Sequence, residues 1–177
     1  MNKSYKSVVV MLLLVVTSIN AQEKNKKDHG KMNMDGMKMD IIHTAPEFND
    51  ANLASSYDHY IHIKNALVNS DVNEAKKGVA MLVKVLVGIK GSGVVEKAAN
   101  EIKNTDDLNV QRVAFSNLSN AMEMLLKGNL KSGMIYKDYC PMALKEGAYW
   151  LSSEKEIQNP YYGDKMLTCG TVKETIQ

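Results

Sequence analysis

The stretch from Asp71 to Ile89, DVNEAKKGVAMLVKVLVGI, decides how the rest of the chain is interpreted. Asp71 stands three residues before Glu74, as in a capping box, and three glycines follow between Gly88 and Gly93. The apolar residues recur every three or four positions, which is the period of one helix face: Val72, Ala75, Val79, Leu82, Val83, Leu86 and Ile89. The stretch therefore predicts an amphipathic helix with a defined start and end.

The same period continues on both sides of this helix. A preceding helix is predicted from about Asn49 to Asn69, a shorter one follows up to Asn104, and a fourth closes at Gly128. The residues expected on their buried faces are Leu53, Tyr57, Tyr60, Ile63 and Leu67, then Val95, Ala98, Ala99 and Ile102, then Val110, Ala114, Phe115, Leu118, Ala121, Met122 and Leu125, with Met81 and Met124 beside the stripes. Because the connections are short, we expect a mainly α fold with an up-and-down four-helix bundle over residues 49–128.

The helical period is lost after Gly128. Residues 129–177 hold five of the eight tyrosines and the only tryptophan. Such a segment is too irregular for a long helix and too aromatic for disorder. We expect an irregular C-terminal extension that packs on the bundle, with short strands at 148–151 and 166–172.

The first residues have the features of an export signal. Lys3 and Lys6 precede an apolar run of nine residues from Val8 to Val16, and a polar exit leads to Ala21. A bilayer-spanning helix needs about 20 apolar residues, so this run is too short to remain in a membrane. The sequence predicts a signal peptide over residues 1–21, cleavage near Ala21 and a periplasmic or secreted protein without membrane insertion.

Composition and motifs exclude several classes of function. The formal charge is +2, and two lysines lie in the predicted signal, so the mature chain is expected to be neutral. Arg112 is the only arginine, and no basic run offers the phosphate contacts of a nucleic-acid-binding protein. The sequence lacks G-x-S-x-G, H-E-x-x-H, a P-loop, a dinucleotide fingerprint and C-x-x-C. No enzyme and no nucleic-acid partner are predicted.

Residues 22–48 are predicted to be a disordered leader that is rich in methionine. Its centre, HGKMNMDGMKM, places Met32, Met34, Met37 and Met39 after His29. Methionine has no core to fill in a polar segment, whereas thioethers are suitable ligands for a soft ion such as Cu(I). We favour metal capture, and the alternatives are low-complexity drift or a sacrificial oxidation site.

The only two cysteines lie in the C-terminal extension, each close to a methionine. Cys140 and Met142 belong to YCPM, and Met166 and Cys169 belong to MLTCG. Four sulfur ligands would suit Cu(I) or another soft ion. In an exported protein the same cysteines could instead form a disulfide, which closes a loop of about 30 residues and contributes roughly 3 to 4 kcal/mol. Both interpretations stay open.

Two histidines of the first predicted helix are further candidate ligands. His59 and His62 are three residues apart, which places them on one side of the helix. They could bind a metal together, or each could be a solvated or hydrogen-bonded residue beside the tyrosines of the apolar face.

A wider set of residues resembles a known family. The set comprises Tyr139–Ala143, Gly147–Ser152, Ile157, Asn159–Gly163 and Met166–Gly170, with Tyr60, Ala66–Val68 and Asp71 in the helical half. It is similar to a domain of unknown function in exported Gram-negative proteins, and to a domain appended to periplasmic adaptor subunits of heavy-metal efflux pumps. The resemblance spans about residues 50–177 and implies a periplasmic heavy-metal context, copper first, without an established activity.

The run Tyr139-Cys140-Pro141-Met142 also resembles the opening of short heavy-metal-binding modules in copper transporters. In those modules a histidine commonly follows the methionine, and Ala143 takes that place here. The sequence as a whole predicts a periplasmic protein that binds copper or another soft heavy metal, accessory to metal efflux or resistance, with an efflux component as a partner. The alternative is a non-catalytic structural or interaction module pinned by a Cys140–Cys169 disulfide.

Overall fold

The computed structural model describes residues 45–177. The predicted signal peptide and the candidate ligands His29, Met32, Met34, Met37 and Met39 lie outside the described residues. In chain order the elements are β1 (Glu47–Phe48), α1 (Ala51–Val68), α2 (Val72–Val85), α3 (Gly93–Lys103), α4 (Leu108–Leu126), β2 (Leu130–Ser132), β3 (Ile135–Cys140), β4 (Ala148–Ser152) and β5 (Thr171–Ile176), with a short 3-10 turn at Gly163–Lys165 before β5. Strand β1 occupies the last two residues of the predicted leader, so folded structure begins before residue 49.

Aspartates start three of the four helices. The carboxylates of Asp50 and Asp107 each accept two backbone N–H groups from the first turn of α1 and α4, and Asp71 accepts that of Glu74 in α2. These bonds satisfy amide groups that have no partner within the helix. The predicted start of α2 at Asp71 and the end of α1 at Asn69 are confirmed.

The helices share one apolar core, and each packs against the next along the chain, while α4 also packs against α1. Residues with no exposed surface come from all four helices: Tyr60, Ile63, Leu67, Val79, Leu82, Ala99, Ile102, Phe115, Leu118 and Met122. Val110 and Met124 were predicted at or beside the buried face of α4, but they are 49% and 78% exposed. Met124 is two residues from Met122 and therefore about 200° around the helix, and Val110 lies in the first turn of α4.

The C-terminal extension contains a three-stranded antiparallel sheet in the order β4-β3-β5, and β1 pairs with β2 in a separate two-stranded sheet. The strand predicted at 148–151 is confirmed as β4. The strand predicted at 166–172 is placed too early, because Met166–Cys169 is a turn and β5 begins at Thr171. Strand β3 was not predicted, although it is the centre of the sheet.

Two tyrosine hydroxyls cover the free edge of β4. The backbone N–H of Leu151 donates to the hydroxyl of Tyr60 at 2.9 Å, and the hydroxyl of Tyr161 donates to the carbonyl of Tyr149 at 2.5 Å. An uncovered edge would present unpaired backbone groups to other chains. The Tyr60 bond joins the sheet to α1, and the Tyr161 bond joins it to the segment after β4.

Arg112 makes a second connection between the helices and the extension. Its Nε donates to the carbonyl of Pro160 at 2.9 Å, and an Nη2 group donates to the carbonyl of Leu67 at 3.2 Å and to Oγ of Ser70 at 3.1 Å. The only arginine therefore ties α4 to the end of α1 and to the segment after β4. Within residues 45–177, no helix has the length and apolar character needed to cross a membrane.

Candidate functional site

The two cysteines meet at one end of the three-stranded sheet. Cys140 ends β3, Cys169 lies two residues before β5, and their Sγ atoms are 2.8 Å apart. Both are free thiols in this structure. A disulfide bond is about 2.05 Å long, so the pair is adjacent without being bonded. Sulfurs that are 29 positions apart in sequence are therefore brought into direct contact by the pairing of β3 with β5.

The first cysteine leads into a tight turn that carries the first methionine. The N–H of Ala143 donates to the carbonyl of Cys140 at 3.3 Å, which closes a four-residue turn with Met142 at its third position. The side chain of Met142 is not drawn into the core, since the residue is 56% exposed. The hydroxyl of Tyr162 donates to the carbonyl of Met142 at 2.5 Å. This bond fastens the turn to the segment that leads to Cys169.

The second cysteine closes a matching turn that begins with the second methionine. The N–H of Cys169 donates to the carbonyl of Met166 at 3.0 Å, so Met166 and Cys169 are the first and last residues of this turn. Asn159 holds it from the side: its backbone N–H donates to the carbonyl of Leu167 and its side-chain amide to the carbonyl of Cys169, both at 2.8 Å. Asn159 has no exposed surface, and its role was not predicted from the sequence.

The glycine after the second cysteine lets the turn approach the sheet closely. A Cβ atom at Gly170 would lie 2.8 Å from Cη2 of Trp150 and 3.2 Å from the carbonyl oxygen of Tyr139. Any larger residue would push the turn, and with it Cys169, away from β3 and Cys140. The contact between the two thiols therefore depends on a glycine at this position.

The two thiols differ in their access to solvent. Cys140 is fully buried, whereas Cys169 is partly exposed and Met142 is largely exposed. The hydrogen bond with Cys140, and secondarily the loss of hydration, raise the pKa of the Cys169 thiol above its usual value. The protonated form of the Cys169 thiol is thus favoured, and an ion or an oxidant would displace its proton to react.

The donor set has the chemistry of a soft-metal site. Thiolate and thioether ligands select Cu(I) and similar ions over Mg²⁺ or Ca²⁺. Two thiolates bound to one tetrahedral ion with bonds of about 2.3 Å lie about 3.8 Å apart. The observed sulfur separation is 2.8 Å. The Cys169 turn would thus move by about 1 Å to hold an ion.

The two candidate histidines have different surroundings from the cysteines. Nε2 of His62 lies 2.8 Å from a carboxylate oxygen of Glu74, and the other oxygen of Glu74 pairs with Lys77. His59 is partly exposed on the same helix. Among residues 45–177, no three His, Cys, Asp or Glu side chains are grouped so that they could hold one ion. The structure therefore brings the two cysteines together without placing either histidine beside them.

Two buried ionisable residues, Asp138 on β3 and Lys64 on α1, were not anticipated from the sequence. Asp138 on β3 has no exposed surface, and neither of its carboxylate oxygens has a hydrogen-bond partner among the described residues. Trp150 lies opposite it across the strands, and its Nε1 approaches the carboxylate without hydrogen-bond geometry. Burial raises the pKa of Asp138 to about 7, although the nearby ammonium of Lys64 acts in the opposite direction.

The signal for the buried lysine was present in the spacing of α1. Lys64 falls on the stripe of Tyr57, Tyr60 and Leu67, where a helix facing the core has apolar residues. It is only 3% exposed. A charged residue at such a position indicates a buried partner or a cavity.

Comparison with known families concerns the helical part of the chain. Residues 56–133 match a family model described as "Protein of unknown function (DUF3347)". The matched span covers most of α1, the whole of α2 to α4, and β2, and it ends before β3. Both cysteines therefore lie beyond the matched residues. Searches of curated proteins and of solved structures returned no significant match to the chain.

Proposed function

We propose that the protein is an exported binding protein for Cu(I) or a similar soft metal ion, accessory to metal efflux or resistance. The observation that carries this proposal is the 2.8 Å approach of two free thiols, Cys140 and Cys169, on two turns that each include a methionine. The site residues are Cys140, Met142, Met166 and Cys169. The ion would be a soft Lewis acid, which binds thiolate and thioether sulfur in preference to water.

Several features of the fold support binding at this place. The buried Cys140 is fixed at the end of the central strand, while the partly exposed Cys169 lies on a turn that Asn159 holds at Leu167 and Cys169. Exposed Met142 supplies a sulfur on the solvent side. One fixed ligand and one ligand on a short turn allow the small change in sulfur separation that an ion requires. The scaffold that we propose for the site is an up-and-down bundle, in keeping with the packing of each helix on the next.

The N-terminal sequence extends the proposal. Export to the periplasm or outside the cell follows from the predicted signal peptide, and Met32, Met34, Met37 and Met39 with His29 would capture an ion before it reaches the cysteines. His59 and His62 stay candidate ligands for a separate, weaker site on α1. An efflux component remains the proposed partner because of the resemblance described above.

The experiment is a competition between the reduced mature protein and a chromogenic Cu(I) chelator without oxygen. Wild type is expected to withdraw Cu(I) from the chelator, and Cys140→Ser with Cys169→Ser is expected to lower the affinity at least tenfold. Met142→Leu should lower it less. Met124→Leu, which removes another exposed thioether outside both turns, is the matched control and should change nothing. Equal affinities for wild type and the double cysteine variant would exclude the C-terminal site.

A second candidate function is an interaction module that is pinned by a Cys140–Cys169 disulfide. It is favoured by the same sulfur distance, because closing the bond needs a movement of only about 0.8 Å. A thiol count on protein taken from the periplasm distinguishes the two. Two free thiols that bind Cu(I) support the metal-binding protein; a fully oxidised pair that resists physiological reductants supports the pinned module.

A further inference from the structure

A cavity of about 320 Å³ lies between the second half of α1 and the loop that follows β4. Its walls include Ile61, Lys64, Asn65 and Val68 from the helix, and Glu154 and Gln158 from the loop. Small-molecule sites in proteins span about 300 to 1,000 Å³, so this volume suits a ligand of metabolite size. The cavity shares no residue with the sulfur site.

Lys64 is the feature that indicates a ligand. The residue is 97% buried yet lines the cavity, and it forms no hydrogen bond or ion pair with any residue in the described part of the chain. Burial lowers the pKa of its ammonium group, and the carboxylates of Glu154 and Asp138 act in the opposite direction. The ammonium group has no hydrogen-bond partner among the described residues, and a carboxylate bound in the cavity would give it one.

Glu154 supplies the opposite charge at the rim. It is exposed, and among residues 45–177 its carboxylate accepts one long hydrogen bond, of 3.4 Å, from the side chain of Gln158. Within residues 45–177, Lys64 and Glu154 attract each other without forming an ion pair. Both residues line the cavity. A carboxylate-rich ligand would be repelled by Glu154, whereas a ligand with one carboxylate and one amine would satisfy both groups.

We propose that this cavity binds a small zwitterion of the free α-amino-acid class, with its carboxylate at Lys64 and its ammonium group at Glu154. Ile61 and Val68 form an apolar wall that suits a short aliphatic side chain, and the amides of Asn65 and Gln158 can hydrogen-bond to the ligand's polar groups. An aliphatic amino acid therefore matches the charges, the apolar wall and the volume.

The test is a titration of the isotope-labelled full mature chain by NMR with three matched probes: L-valine, isovalerate, which lacks the amine, and isobutylamine, which lacks the carboxylate. L-valine should shift the amide signals of Asn65, Asn69 and Ser153 at millimolar concentration. The other two probes should need at least tenfold more. Equal responses to valine and isovalerate, or no response at these residues, would overturn the proposal.

Three variants make the test specific to the two charges. Lys64→Met keeps the aliphatic stem and removes the ammonium, and Glu154→Gln changes an exposed residue that should fold normally. Each is expected to weaken valine binding at least tenfold. Lys155→Gln removes an exposed charge beside the cavity and should bind like wild type. Unchanged binding in Glu154→Gln would contradict the assignment even if Lys64→Met does not fold.

Discussion

The hydroxyl group of Tyr60 on α1 lies 2.9 Å from the backbone nitrogen of Leu151 on β4. Ser119 donates its own hydrogen to the carbonyl of Phe115, so Tyr60 donates to Oγ of Ser119 at 2.8 Å and accepts from Leu151. One fully buried hydroxyl thus joins α1, α4 and the edge of the sheet.

Tyr60→Phe should therefore destabilise the fold by about 1 to 3 kcal/mol, because it leaves a buried backbone donor without its acceptor. The free energy of unfolding in urea measures the loss. Tyr149→Phe is the control, since this tyrosine is 37% exposed and should change stability by less than about 0.5 kcal/mol. Equal effects of the two variants would show that the Tyr60 hydroxyl does not hold the sheet edge.

Gly78 and Gly93 should respond in opposite ways to alanine. In a helix interior, alanine is favoured over glycine by about 1 kcal/mol. A Cβ atom at Gly78, however, would lie 2.7 Å from Cγ1 of fully buried Ile63, and the strain should exceed that gain, for a net loss of about 1 kcal/mol. Gly93→Ala, with nothing within 4 Å, should be neutral or stabilising. Thermal unfolding of both proteins tests this, and stabilisation by Gly78→Ala would contradict the tight contact of α1 and α2.

Asp138 should make the fold more stable in mild acid than at alkaline pH. Its pKa rises from 3.8 to about 7 on folding, so the native state binds the extra proton between these values. Stability should fall as pH rises from about 4 to 7 and level off above, with this group accounting for on the order of 2 kcal/mol. The facing groups are Lys64 and Tyr57 on α1 and Trp150 on β4.

Asp138→Asn should remove that dependence, because an amide resembles the protonated carboxyl group at every pH. Urea unfolding at pH 5 and pH 8 should show a smaller difference for the variant than for wild type. Asp58→Asn, which changes an exposed aspartate of α1, should keep the wild-type difference. A wild type that is equally stable at both pH values would rule out an ionisable buried Asp138.

Arg112→Met should loosen the cysteine site as well as the fold. Arg112 holds the carbonyl of Pro160, and the neighbouring Asn159 holds the carbonyl of Cys169. We expect a loss of about 2 to 4 kcal/mol from the broken bonds to a charged group, and faster alkylation of Cys169 by iodoacetamide in the reduced protein. Lys97→Met, at an exposed position of α3, is the control. An unchanged alkylation rate would contradict the mechanical link between α4 and the site.

The helices were predictable because their information is local. Local sequence predicts the caps at Asp71 and Asn69, and spacing predicts the buried stripes of α1, α2 and α3. Val110 was wrong because it lies in the first turn of α4, and Met124 because it lies on the face of α4 away from Met122. Spacing identifies a face of a helix, but only packing determines how far along the helix that face is buried.

The sheet and the site were less predictable because they depend on contacts between distant residues. Strand β3 places Asp138, an acid, at an inward position, and this breaks the apolar alternation by which a strand is recognised. The two cysteine motifs were visible, yet their contact results from the pairing of β3 with β5. Lys64 could have been identified as a lysine within an apolar stripe, whereas its cavity could not.

The central proposal is that the sulfurs of the two turns, Cys140–Ala143 and Met166–Cys169, bind one soft ion. Its most direct test is copper X-ray absorption on the reduced protein without the predicted signal peptide, loaded with one equivalent of Cu(I), in a chain whose Met32, Met34, Met37 and Met39 are leucine. The account predicts at least two sulfur neighbours for copper, and their loss when Cys140 and Cys169 are serine. Copper bound by nitrogen or oxygen alone, or with the same sulfur count in the serine variant, would contradict it.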